Sequence, residues 1–255
     1  MAVPTPLSSR RTVTALLTLT AVTGLVDAVS YLRLGRVFVA NMTGNVVFLG
    51  FSAAPRSGVS AIASVIAIAG FLLGALAGGR TAHTLAAGPA RWLTTAFTAE
   101  AVLLGLVAVL TGAGVLPFTG DGRFATIALL AAALGVQNST VRHLGAPDLT
   151  TTVLTLTLTG LAADNPLALG PGARPHRRLG SVAVMLAGAA AGAGILQWSS
   201  VAVIAIAAAL VAAVAITFRT AIPDTGRRMR PDRSVFDGRR TTERLPKVPK
   251  PRNSQ

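Results

Sequence analysis

The chain has 255 residues, 52% of them hydrophobic and only 13% charged, with a formal net charge of +14. A soluble domain carries about 25% charged residues, and here the apolar residues fall in long blocks, so an all-α integral membrane protein is expected. The absence of Cys excludes disulfides, thiolate catalysis and Cys metal sites, and the placement of the Arg residues in loops and a tail points to membrane topology and away from nucleic acid.

Residues 1–12 are polar and end in Arg10-Arg11, as a cytoplasmic segment before an uncleaved first span would. That span is expected from Val13 to Leu32. Thr20, Thr23, Asp27 and Ser30 recur at steps of three, four and three and so share one helix face. This face is either a set of hydroxyls bonded back to their own helix or a polar stripe turned to the protein interior. After a break at Arg33–Arg36 comes Val37 to Phe51, which carries Phe38-Val39-Ala40-Asn41-Met42-Thr43-Gly44-Asn45. As a helix it would reach only about 22 Å, short of a hydrocarbon core of about 30 Å. It therefore reads as a re-entrant, broken or tilted short helix, its irregular backbone set against protein or a water-filled cavity.

Val59 to Gly79 is a full span whose Gly70, Gly74 and Gly78 make a close-packing face, within one chain or between two copies. A basic loop, Arg80 to Arg91, leads to a span from Trp92 to Leu116 that holds Glu100 about two turns in. Pro117 to Arg123 form a turn. The next apolar run starts at Phe124 and leads into Gln137-Asn138-Ser139-Thr140, and the pattern breaks from Arg142 to Asp148. Thr150 to Ala163 is a second short, threonine-rich segment, helical or re-entrant. Asp164 to Arg178 are expected as loop, with spans at Leu179–Leu196 and Trp198–Phe218 to follow. The tail from 219 to 255 is basic, rich in Pro, Arg and Ser, and expected to be disordered.

The membrane domain, 13–218, reads as two repeats, about 13–116 and 124–218. Gly24-Leu25-Val26-Asp27-Ala28 aligns with Gly135-Val136-Gln137-Asn138-Ser139. A Leu-Gly break, a short polar-apolar segment, a glycine-spaced span and a Trp-led span follow in each half. With both short segments re-entrant, Arg10, Arg11, Arg80, Arg91, Arg142, Arg174, Arg177 and Arg178 fall inside, and Arg33, Arg36, Arg56 and Arg123 outside. Crossing segments would give a poorer split. Six spans, both termini cytoplasmic and an inverted second half follow, an architecture that recurs in transporters.

Asp27-Ala28-Val29-Ser30-Tyr31 leading to Phe38–Asn45, and Leu134-Gly135-Val136-Gln137-Asn138 leading to Thr151-Thr152-Val153-Leu154-Thr155, resemble the YoaK family of bacterial membrane proteins over about residues 10–220. The resemblance implies an integral membrane protein of about six spans with no established substrate, reaction or cofactor. One departure is Leu156, which stands where the family's second motif carries glycine.

The reading drawn from this is a carrier of a small solute or ion in the bacterial plasma membrane, with no cofactor and no bound metal. Asp27 is its protonatable or cation-binding group. Asn41, Thr43, Asn45, Gln137, Asn138, Thr152 and Thr155 offer neutral contacts, and Gly44 allows close backbone approach. The alternative is a non-transporting assembly or regulatory protein whose polar motifs only cap broken helices. Neither His pairs at metal-ligand spacing nor any nucleophile–base spacing is present, so an enzyme is not expected.

Overall fold

The computed structural model describes residues 7–85, 88–145, 154–163 and 175–220. Thr152, Arg174 and the tail beyond Thr220 lie outside the described residues. Eight helices are described: α1 Ser9–Arg33, α2 Met42–Phe51, α3 Ala61–Thr84, α4 Pro89–Gly112, α5 Arg123–Leu144, α6 Leu154–Ala163, α7 Pro175–Ile195 and α8 Ser200–Arg219. No strand occurs among the described residues. Six of these helices are long and apolar enough to cross a membrane.

Local chemistry sets the helix ends. The side chains of Ser60 and Ser199 accept the N–H groups of Ala63 and Ala202 at 3.2 and 3.1 Å, capping α3 and α8. Pro89 opens α4, and Gly145, at φ 62°, closes α5. Pro175, expected to break a helix, instead begins α7, where its missing N–H is no loss. The threonine-rich segment is helical from Leu154 despite its β-propensity. The segment from Val37 is helical only from Met42.

Neighbour pairs fix the direction of each helix. Gly24 of α1 abuts Met185–Ala189 of α7, and Gly192 abuts Leu25 and Ala28, so α1 and α7 run parallel. Gly70 sits on Ala128, Gly74 on Ala132 and Gly78 on Val136 and Ser139, so α3 and α5 also run parallel. Gln137 reaches Leu19 and Thr23, whereas Arg123 lies beside Gly35, so α1 and α5 are antiparallel. It follows that α1 and α3 are antiparallel, and that the chain between them leaves and returns at one end of the bundle. The same logic applies to α5, α6 and α7. Neither short helix crosses, and the arrangement has six spans.

The Arg side chains sort by end accordingly. Arg10, Arg11, Arg80, Arg91, Arg142, Arg178 and Arg219 belong to one end, hereafter the basic end, and Arg33, Arg36, Arg56 and Arg123 to the other. Arg33 is anchored there by donating to the Leu196 carbonyl at the close of α7, at 2.8 Å.

The helix pairings exchange into one another when the first four helices are swapped for the last four. α3 with α5 corresponds to α7 with α1, α4 with α5 to α8 with α1, and α2 with α3 to α6 with α7; α4 with α8 maps onto itself. The correspondence extends to single residues. Gly188 rests on Ala21 and Gly74 on Ala132, each three positions before Gly24 and Gly135, and Gly24 and Gly135 in turn rest on the backbones of α7 and α3. Both glycine faces are thus taken up within one chain. Around these seams the core is Leu16, Leu19, Val22, Val26, Leu130, Leu134 and Leu104, whereas Leu72, Leu73, Val102, Val109, Leu186 and Ile216 face outward as a lipid-facing surface would.

Because a Cβ at Gly74 would run into the backbone of Ala132, Gly74→Leu must force α3 and α5 apart, at about 1–3 kcal/mol or more. Gly105 has open space beside it. Thermal unfolding of detergent-solubilised protein should show a lowered midpoint for Gly74→Leu and none of that loss for Gly105→Leu.

Candidate functional site

All four residues of the α1 stripe, Thr20, Thr23, Asp27 and Ser30, are buried. The three hydroxyls donate to their own helix, Thr20 to the Leu16 carbonyl at 2.9 Å, Thr23 to that of Leu19 at 3.0 Å and Ser30 to that of Asp27 at 3.1 Å. The stripe therefore faces the interior and is also bonded back. Each hydroxyl oxygen keeps its acceptor capacity toward the neighbouring helix.

After α1 the backbone turns sharply. Gly35 is at φ 99° and Arg36 at φ 57°, both left-handed. Val37 to Ala40 then run non-helically, with Val39 and Ala40 fully buried. Backbone N–H groups in this position need acceptors. Asp27 supplies one: its Oδ1 accepts from Val39 N–H at 3.1 Å and from Ala40 N–H at 3.0 Å. Asn45 supplies the next pair. Its Oδ1 accepts from Phe38 N–H at 2.9 Å and its Nδ2 donates to the Phe38 carbonyl at 2.6 Å, as one strand residue would to another. Asn41 is the N-cap of α2, its Oδ1 accepting from Gly44 N–H at 3.3 Å.

The remaining residues of the motif fall outside this network. Thr43 is exposed on α2. Gly44 was expected to admit a ligand, but the Phe38 ring occupies the space a Cβ would take. Phe38 stacks between Tyr31 and Phe48, with ring centroids 5.1 and 5.7 Å away. Glycine here allows the aromatic stack that pins the half-helix against the end of α1.

From the other half, Gln137 enters the α1 stripe. Its Nε2 donates to Thr23 Oγ1 at 2.9 Å, one turn before Asp27. Two acceptors on this α1–α5 seam have no partner among the described residues, Asp27 Oδ2 and Gln137 Oε1. Asn138, which aligns with Asp27, is half-buried and donates to the Leu134 carbonyl at 2.9 Å. Thr155 is exposed on α6. The fold thus joins Asp27 with the Phe38–Asn45 segment and Gln137 with the stripe, and leaves Asn41, Thr43 and Thr155 at the surface.

The sequence pattern neither pairs His83 with His143 nor fixes the burial of Glu100. His83 and His143, 60 positions apart, meet edge to face at 5.4 Å beside Trp92 at the basic end, because parallel α3 and α5 finish together. The matched register of Gly78 and Ser139 could have signalled it only once the α3–α5 pairing was known. Glu100, whose depth was open, is fully buried.

An acceptor that holds two backbone N–H groups is worth about 1–3 kcal/mol when removed. Asp27→Ala should therefore raise amide hydrogen exchange at Val39 and Ala40 by about one to two orders of magnitude. Asp27→Asn keeps an Oδ1 in place and should leave these amides protected, as hydrogen exchange read by mass spectrometry would report.

Residues 15–217 match a family model described as "Protein of unknown function (DUF1275)". The chain is similar to the UPF0700 transmembrane protein YoaK of Bacillus subtilis (strain 168), with 35% identity over 163 residues, covering 61% of this chain and 67% of that protein. No solved structure matches.

Proposed function

This chain belongs to the DUF1275 family of transmembrane proteins, and on that premise we propose that it is a secondary-transporter-like, non-enzymatic carrier of a small solute or ion. The observation that carries the reading is the pair of buried, unpartnered acceptor oxygens, Asp27 Oδ2 and Gln137 Oε1, on the seam between α1 and α5. Oxygen acceptors without donors inside a membrane domain are costly unless a proton, a cation or a substrate donor completes them. They lie beside a broken helix, which is where carriers of this design hold their ligands.

We take the exchange of helix pairings between the two halves as an inverted internal repeat, with the pseudo-two-fold axis passing through the α1–α5 and α4–α8 seams. The basic end is assigned to the cytoplasm of a bacterial plasma membrane by the positive-inside rule, which makes both ends of the bundle, Ser9 and Arg219, cytoplasmic.

A second reading draws on the bonds from Asp27 and Asn45 to the Phe38–Ala40 backbone. In it the motif is wholly structural and the protein is a membrane assembly or regulatory partner. Asp27→Asn separates the two, since it preserves the cap and removes the charge.

Vesicles reconstituted with the protein and loaded with a trapped pH-sensitive dye provide the test. A panel of small solutes and monovalent cations should contain one that discharges an imposed pH gradient through the wild type, while Asp27→Asn remains at the level of protein-free vesicles. Equal discharge by the folded variant rejects the role given to Asp27. Since the chain has no native Cys, single cysteines report orientation. Arg56→Cys should react with an impermeant maleimide added outside intact cells and Arg91→Cys only after permeabilisation.

A further inference from the structure

Glu100 is the twelfth of the 24 residues of α4. At 1.5 Å per residue it lies about 17 Å along the helix from either end of α4. It is 0% exposed, and neither Oε1 nor Oε2 has a hydrogen-bond partner among the described residues.

The helices packed against α4 offer it no countercharge. α8 carries no titratable residue between Ser200 and Phe218. The titratable residues of α5 are Arg123, Arg142 and His143, and those of α3 are Arg80 and His83, all near helix ends. On α4 itself the other charged residue is Arg91, in the first turn. Phe97 stacks on Phe218 at 5.6 Å, and from there antiparallel α4 and α8 bring Glu100 level with Val211, Val214 and Ala215, all buried and apolar.

Asp27 makes the contrast. Its Oδ1 holds two backbone N–H donors, so it has some compensation for a charge. Glu100 has none, and an uncompensated carboxylate buried there is among the most expensive groups a membrane protein can hold. A bound proton removes the charge and turns one oxygen into a donor. The Trp92 ring lies 6.4 Å from that of His143, and inward from that contact Glu100 is about 12 Å along α4 and Gln137 about 9 Å along α5. The unused acceptor Gln137 Oε1 thus stands within about one turn of that level on the adjoining helix.

We propose that Glu100 is a proton-binding site distinct from Asp27, and that the ion coupled to transport is a proton carried there. Its role in coupling rests on the carrier reading; its chemistry as a proton site does not.

Infrared spectroscopy of the protein in lipid nanodiscs resolves the two. A carbonyl band of a protonated carboxylic acid, shifted in D2O, is expected in the wild type, retained in Asp27→Asn and lost in Glu100→Gln. Absence of the band from the wild type, or its loss in Asp27→Asn with retention in Glu100→Gln, overturns the proposal. Because the Asp27→Asn spectrum needs the Glu100 band to persist, the assignment does not depend on Glu100→Gln folding normally. In the vesicle assay Glu100→Gln should abolish solute-driven discharge of the pH gradient, and wild-type discharge by that variant overturns the coupling role. A Glu100 band together with wild-type vesicles that move no solute overturns the carrier reading and leaves the proton site standing.

Discussion

A peptide group inside a bilayer has no water to bond, so every stretch of backbone that leaves the helix must find its partners within the protein. The structure depends on how it meets this constraint between Leu34 and Asn41. There the chain abandons the helix at membrane depth and runs back along α1. Asp27, one side chain from a neighbouring turn, accepts two N–H groups of that run, and Asn45 pairs with both the N–H and the carbonyl of Phe38. With the backbone satisfied, the half-helix α2 can start beside the last two turns of α1 and the chain can return to the end it came from. The six-span topology follows from that return.

Close packing does the rest. Without a hydrophobic drive between helices in lipid, small residues that let backbones touch carry the association. Gly24 and Gly188 do this between α1 and α7, and Gly74 and Gly135 between α3 and α5. The two contacts occupy equivalent places in the two halves. They hold each half's first helix against the other half's third helix, so the halves are interlocked and neither is a separable lobe. The residues of greatest chemical interest, Asp27, Gln137 and Glu100, all sit on the seams this interlocking creates.

These three carboxyl and amide groups are not equivalent. Asp27 doubles as a structural cap and keeps one free oxygen. Gln137 ties α5 to Thr23 and keeps one free oxygen. Glu100 keeps both. Among the described residues, the unpartnered buried side-chain groups are four acceptor oxygens, on Asp27, Gln137 and Glu100, together with the donors Trp92 Nε1 and Arg123 Nε and the hydroxyls of Thr94 and Thr140.

By itself the sequence determined the class, the six long spans, the two short polar segments and the polar face of α1, because those depend on block length, hydropathy and helical periodicity, which are local. It also set Gly24 against Gly135 and spaced the glycines of α3 and α7 alike, and both pairs of glycines lie at helix contacts. The depth of Glu100, the meeting of His83 with His143 and the true neighbour of Gly44 were decided only by the tertiary structure. Each depends on which face of a helix meets which other helix, and in a chain this uniformly apolar the two faces of a span look alike until the packing is known. The same holds for Asp27: its position marked it as costly, but that its carboxylate answers the amides of Val39 and Ala40 follows from a sharp turn at Gly35 and Arg36 that no periodicity encodes.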